Sequence, residues 1–454
     1  MNKSILYVTV LLFLVVLPLP GKAEEPFPSQ PVPTVWTAKE AVSFALRNSP
    51  DSLIAQKRIA SAKAMVTGAG SSFAPEIGVS SEYSQTTNPM YSFGNILNEG
   101  QFNNTIDFND PGRTDDLNFK IQALYRFYNG GRDQAALDAA QAGEKGSIAN
   151  LEVVHQQLSF EIVRLFLAIA QNQETVSARE SALEAIRASL AVAKARFEEG
   201  TLLKADLLSL EAQEAGASED LIQARHTLEL SKLGFLTLLG LQTGDVAIDL
   251  TTNAYQNPPE KLDFTRRPEL QVLDTTIDAA EAGVRKAEGS NNPTIDGFAS
   301  YQVDKGFVLD GSGDSWMAGV RINYSLFDGN RSKAGIAEAQ SKLAELKELK
   351  HKTELALNLE LQKADLEFQQ ANQRLLVTEK MVGVAKESAR LNRIRFQEGV
   401  VLSTELIDGE KRLTDALVRQ SAAKTMRQTA IANLRRAVGL PQFDQITEEP
   451  QEKK

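Results

Sequence analysis

The sequence predicts a mainly α-helical chain with a small set of membrane-type β-strands, built as two tandem copies of one architectural unit. Three observations carry this. Phe197-Glu198-Glu199-Gly200 returns as Phe396-Gln397-Glu398-Gly399, Gly130-Gly131-Arg132 as Gly329-Asn330-Arg331, and Leu239-Gly240-Leu241 as Val438-Gly439-Leu440, each at an offset of 199. Arg132 to Phe197 and Ser332 to Phe396 contain no proline and two glycines each, and the strongest helix formers dominate both. Four shorter stretches alternate apolar and polar residues with the period of two that strands require. Copies of roughly 200 residues are too long for solenoid repeats, which run nearer ~20–50 residues, so each is a whole unit.

In chain order, residues 1–23 read as a secretory signal. Lys3 supplies the charge, Ile5 to Leu17 is a 13-residue apolar run broken by Tyr7 and Thr9, and Gly21-Lys22-Ala23 offers small residues for cleavage. The run falls short of the ~20 residues that span a bilayer, which argues against an uncleaved anchor. No later stretch is expected to form a membrane-spanning helix. A Pro-rich lead follows over 24–37. The first repeat, 38–240, is expected to run helix, strand pair over 75–128, long helix over 131–198 and helix over 201–240. A linker over 241–266 leads to the second repeat, 267–440, which is expected to run helix, strand pair over 293–327, long helix over 330–397 and helix over 400–438. Residues 441–454 form a C-terminal tail.

Upstream of the long helices the offset is 218: Ser49-Pro50-Asp51 pairs with Arg267-Pro268-Glu269, Pro75 with Pro293, and Tyr83 with Tyr301. The two offsets differ by 19, so the first copy holds 19 extra residues between Tyr83 and Gly130. Gln85 to Asp116, rich in Asn, Asp, Gly and Pro, is the expected host, as an exposed loop. Each long helix of roughly 66 residues extends about 100 Å at 1.5 Å per residue. Apolar residues recur at coiled-coil intervals, as in Leu355, Leu359, Leu366, Leu375, Val382 and Ala389. A periodic pattern this long means a coiled coil or a helical repeat.

In the strands, Leu117, Phe119, Ile121, Ala123, Tyr125 and Phe127 alternate with residues that include Lys120 and Arg126. Trp316, Ala318, Val320, Ile322, Tyr324 and Leu326 alternate with residues that include Arg321. Ile77-Val79-Ser81-Tyr83 and Ile295-Gly297-Ala299-Tyr301-Val303 show the same period more weakly. About ten residues per pattern suits a tilted membrane strand, although a soluble sandwich alternates likewise. Basic residues on one face and aromatics at the ends of the other fit lumen and lipid faces. Four strands cannot close a barrel, and open edges do not survive in lipid, so a membrane barrel needs several chains.

The chain contains no cysteine and carries a net charge of −10, which loss of Lys3 and Lys22 takes to −12. An exported chain without cysteine is held by packing rather than disulfides. The acidic balance argues against nucleic acid as a partner. His155, His226 and His351 stand singly, without a second ligand at metal spacing or a nucleophile arrangement. No glycine loop suited to phosphate is found. The expectation is no metal, no cofactor and no enzymatic activity, with energy supplied by a partner.

Over essentially its whole mature length the chain resembles the TolC-type outer membrane efflux proteins. The resemblance rests on Arg267-Pro268-Glu269-Leu270 opening the second copy, Leu326-Phe327-Asp328-Gly329 at the strand-to-helix junction, and Arg395-Phe396-Gln397-Glu398-Gly399 before the last helix. It implies a homotrimer with a twelve-stranded barrel in the outer membrane, four strands per chain, continued by an α-helical tunnel through the periplasm. It also implies a periplasmic adaptor and an inner-membrane pump as partners, in efflux or type I secretion.

Gly200 and Gly399 interrupt helical sequence where a long helix must reverse, as left-handed helix ends. In the family these turns are the periplasmic tips that receive the adaptor, so Gly200, Thr201, Gly399 and Val400 are the expected contacts. Glu405 and Asp408, three apart on one helix face, match the acidic positions that constrict the family's periplasmic entrance. Asp206 is the first-copy counterpart of Glu405, while Ser209 replaces an acid opposite Asp408. Val401 stands where the family's best-known member has an arginine that locks neighbouring helices through a first-copy acid, so Asp206 lacks that partner. The competing reading is a periplasmic coiled-coil scaffold or adaptor without a pore. Adaptors carry a single hairpin with β-rich domains and usually a lipidated Cys or anchor, which two equivalent hairpins and no Cys disfavour.

Overall fold

The structure, a computed structural model, describes residues 32–249 and 257–443. The expected signal at 1–23 and the tail from 444 onward lie outside those residues. The chain opens with β1 (Val35–Trp36), α1 (Ala38–Asn48) and α2 (Pro50–Gly70). Thr37 and Glu40 start α1 as a reciprocal capping box, and Pro50 in the first turn of α2 forces the break between the two helices. Then come β2 (Glu76–Thr86), α3 (Pro89–Asn98), β3 (Thr114–Tyr128), α4 (Arg132–Glu198) and α5 (Lys204–Leu239). After β4 (Ala247–Ile248) the pattern returns as α6 (Pro268–Glu288), β5 (Thr294–Lys305), β6 (Ser312–Asn323), α7 (Arg331–Gln397) and α8 (Ser403–Ala437). The long helices α4 and α7 start and end 199 residues apart, and α2 and α6 start and end 218 apart. The molecule is two tandem repeats.

The four long strands form one antiparallel sheet in the order β2-β3-β5-β6. Its register sorts the side chains into two faces. Val79, Ile121, Tyr301 and Trp316 stand side by side across the sheet on one face, and Ser80, Lys120, Gln302 and Ser315 on the other. On the polar face Arg126 donates to Asp296 at 3.3 Å. Among the described residues nothing covers the apolar face: Trp316 is 76% exposed. Strand β6 ends at Asn323, so Tyr324 and Leu326, expected to continue its alternation, lie beyond the strand. The first-copy insert is not wholly loop. It contains α3, started by Asn88, whose side chain accepts from the Met90 amide, with Pro89 in the first turn.

The helices lie side by side in the order α7-α8-α4-α5, with α2 and α6 packed on α4. The largest core joins Trp36, Phe44, Phe166, Phe235 and Leu239, and Trp36 meets Phe44 edge-on at 5.3 Å between ring centroids. Beside this core, β1 pairs in parallel with β4, tying the lead to the linker. An 18-residue window of α4 reaches a mean hydropathy of 1.3, so among the described residues one helix does have the length and apolarity of a membrane span, contrary to expectation. The cause is packing: Leu158, Ile162, Phe166 and Ile169 of α4 are core residues.

The apolar residues of α7 divide into two stripes. Leu357, Leu361, Ala364, Ala371, Thr378 and Ala389 are buried, and all of them fall on the two seam positions of one heptad repeat, as a coiled coil requires. Leu355, Leu359 and Leu366 belong to a second stripe and face outward, Leu359 being 67% exposed. Leu375 and Val382 are half-buried on the packed side.

Candidate functional site: the hairpin tips

The far ends of α4 and α7 reverse direction through equivalent turns. At the first tip the Gly200 amide donates to Phe197 O at 3.0 Å and the Thr201 amide to Arg196 O at 2.9 Å. At the second the Gly399 amide donates to Phe396 O at 3.0 Å and the Val400 amide to Arg395 O at 2.8 Å. Both glycines lie in the left-handed region, with φ of 75° and 74°, where a side chain costs about 1 kcal/mol or more. Their surroundings differ. A Cβ at Gly200 would meet nothing within 4 Å, whereas one at Gly399 would sit 2.9 Å from Nη2 of Arg196.

Arg196 joins the two hairpins. Its Nη1 donates to Phe396 O at 3.0 Å, and its guanidinium carbon lies 5.8 Å from the Phe396 ring centroid, within cation–π range. Beneath it Leu190, Ala193, Leu210, Phe396, Val401 and Leu406 form a small apolar core shared by both tips. Val401 is therefore buried packing. Asp206, without the arginine partner of the family's best-known member, accepts a hydrogen bond from Ser403 Oγ at 2.5 Å, so the first turns of α5 and α8 are tied directly. Neither Arg196 nor Ser403 was visible as a site residue in the sequence. Arg196 had one signal, its copy Arg395 at the repeat offset, whereas Ser403 had none.

Glu405 and Asp408 are both exposed on α8, one turn apart. Asp408 pairs with Arg412 one turn further along, at 2.7 Å. Glu405 has no ion pair among the described residues, and its carbonyl accepts from Asn392 of α7 at 3.0 Å. Deeper in the same hairpin Arg393 of α7 holds the buried Glu410 of α8 through two contacts, a fork geometry that fixes the pairing of the helices. Ser209 is half-buried and donates to Ala205 O at 2.8 Å, one turn back on α5.

The histidines remain apart, on α4, α5 and α7. Half-buried His155 lies 3.0 Å from Ser52 Oγ; burial lowers its pKa against the opposing influence of Glu152. Among the described residues no group of three or more His, Asp or Glu is placed to hold a metal ion.

The other two motifs have local structural explanations. Arg267 is buried, forks onto Glu269 at 2.9 and 2.6 Å, and donates to Arg436 O at the end of α8. Asp328 accepts from the amide and hydroxyl of Ser332, starting α7.

A four-stranded sheet with an uncovered apolar face, continued by paired helices of about 100 Å, defines a class of outer-membrane channel proteins with a periplasmic helical extension. The chain belongs to the outer membrane efflux protein family, whose model matches it twice, over residues 41–241 and 264–440. It is 24% identical to the outer membrane efflux protein BepC of Brucella suis over 232 residues, covering 50% of each chain. It therefore spans about half the length of that curated relative. Its fold is similar to that of the Campylobacter jejuni CmeC outer membrane channel, with a TM-score of 0.78 at 15% identity, covering 90% of this chain and 86% of that one. For the outer membrane protein VceC of Vibrio cholerae the TM-score is 0.74 at 18% identity, covering 88% and 96%. The sheet thus lies in the outer membrane and the helices extend into the periplasm.

Proposed function

We propose that this chain is the exit duct of a tripartite efflux or type I secretion system, assembled as a homotrimer with a twelve-stranded barrel. One observation carries the reading: the sheet and the helix layer are open on the same two sides. Among the described residues strands β2 and β6 are unpaired edges. Beneath them α5 exposes Leu208, Ile222, Leu230 and Leu233, and α7 exposes Leu355, Leu359 and Leu366. A ring of copies pairs β6 of one with β2 of the next and α7 with α5, removing every strand edge from the lipid and covering both stripes.

In this assembly the tips at Gly200, Thr201, Gly399 and Val400 face the periplasmic end and receive an adaptor, through which an inner-membrane pump drives substrate outward. Glu405 and Asp408, with Asp206 behind them, ring the entrance as its acidic constriction. The closed entrance is held in each copy by Arg196 on Phe396 O and by Ser403 on Asp206.

Gly200→Asp is the cleaner probe of docking, because an Asp at 399 would lie against Arg196 and alter the bridge as well. Gly200→Asp should leave heat-modifiable trimers in outer-membrane fractions and abolish efflux in cells. Normal efflux would remove this tip from the docking surface, and purification of the chain as a soluble monomer without detergent would overturn the duct itself.

A further inference from the structure

At the end of the sheet away from the long helices, the insert folds α3 over the strand ends. Ser92 Oγ donates to Thr86 O at 3.2 Å and to Gly112 O at 2.8 Å, and Asn95 Nδ2 donates to Thr114 Oγ1 at 3.1 Å. These bonds fix the body of α3 to β2 and β3. Its C-terminal end is held differently. Glu99 follows the last turn and inserts its side chain into the loop between β5 and β6, where it is 2% exposed. Glycine makes room for it: a Cβ at Gly306 would stand 1.9 Å from Oε2 of Glu99, and one at Gly311 2.7 Å from its Cβ.

Among the described residues the seat offers Glu99 no donor: both carboxyl oxygens are buried and without a hydrogen-bond partner, as is Oδ1 of Asp116. From β3 it is faced by Asp115 and Asp116, and from β5 by Asp304 and Lys305. Lys305 is already engaged with Asp310 of the loop at 2.9 Å. Asp115 is satisfied by the Phe307 and Val308 amides and the Tyr83 hydroxyl, and Asp304 by Asn118 and Gln302. The adjoining residues of β6, Ser312 and Gly313, bring no charge. A buried carboxylate without donors and beside like charges is strongly disfavoured, whereas the neutral acid is not. A metal ion would also relieve the charge, but no group of three acids among the described residues is placed to hold one.

We propose that Glu99 is a proton-operated latch: as the neutral acid it stays seated in the β5–β6 loop and holds α3 across the outer end of the sheet, and on ionising it leaves the seat and frees that end of α3. Desolvation first, then Asp116 and Asp115, raise its pKa from the ordinary 4.5 to about 7. The released side chain therefore gives up its proton more readily than the seated one. Seating is strongest below pH 4.5, weakens as the released form ionises, and has lost this contribution once the pH has risen through about 7.

Hydrogen–deuterium exchange of residues 89–98 in detergent-solubilised trimers, corrected for the intrinsic pH dependence of exchange, reads the latch directly. Wild-type protection should fall by about tenfold or more between about pH 5 and about pH 8, and Glu99→Gln, which removes the charge at nearly constant shape, should stay protected at both. Equal wild-type protection at the two pH values, or loss of protection in Glu99→Gln to the wild-type extent, overturns the proposal. Should Glu99→Gln fail to assemble, Asp116→Asn decides. Removing one neighbouring charge should move the wild-type transition to higher pH if Asp116 were a donor to the ionised form and to lower pH if it acts as the repelling charge argued above; only the downward shift is compatible with the latch.

Discussion

The helices α4 and α7 have the same length of 67 residues and the same left-handed entry, at Gly131 and Asn330, yet they are used differently. Helix α4 lies between α5 and α8 and buries Leu158, Ile162, Phe166 and Ile169 in the largest core. Helix α7 lies at the edge of the layer, buries a narrow seam of Leu and Ala, and leaves a leucine stripe in solvent. Duplication has preserved length and caps, while position in the protomer has set which faces are apolar. An edge helix with two apolar stripes has a second neighbour waiting.

The largest expected effect breaks the edge and spares the centre. Leu359→Lys combined with Leu366→Lys should abolish the heat-modifiable trimer, because two ammonium groups cannot be buried unpaired in a seam. Phe166→Ala in the centre should instead lower protomer stability by about 3–5 kcal/mol, read by thermal unfolding, and leave the trimer contacts in place. Trimers from the double lysine variant would show that this stripe is not the seam.

A smaller effect separates the copied arginines. Only Arg196 reaches across to the other tip, where it holds Phe396 O. Arg196→Ala should favour the open entrance by roughly 1.5–3 kcal/mol, the range for a hydrogen bond involving a charged group, and raise single-channel conductance. Arg395→Ala should not. Equal responses would mean that the bridge has no part in closure.

Much of this architecture was legible in the sequence because it is local or periodic. Landmark offsets located both repeats, and alternation sorted the faces of the strands, since both properties survive without knowledge of neighbours. What was missed depends on neighbours. Heptad spacing on α7 marks two stripes, but not which one the chain itself covers, and Leu355, Leu359 and Leu366 are exposed within the protomer. Ser403 and Asp206 lie far apart in the sequence, and no local rule pairs them. Helix α3 is a different case. Asn88-Pro89 is a helix start signal that the loop-like composition around it obscured.

The smallest effect sharpens the comparison within one helix, between Glu405 and Asp408. Threefold symmetry would bring three copies of each around one axis, where unit charges about 8 Å apart repel by roughly 2 kcal/mol at an effective dielectric near ~20. Asp408 already has Arg412 at 2.7 Å to offset its charge, whereas Glu405 has no such neighbour among the described residues. Glu405 should therefore supply most of the attraction for cations at the entrance. In planar bilayers, multivalent cations added from the periplasmic side should block wild-type current. Glu405→Gln should weaken that block by a few-fold more than Asp408→Asn, the scale of one exposed ion pair. Equal relief by the two variants would mean that Arg412 does not shield Asp408. A double variant as sensitive to cations as the wild type would move the constriction away from α8 altogether.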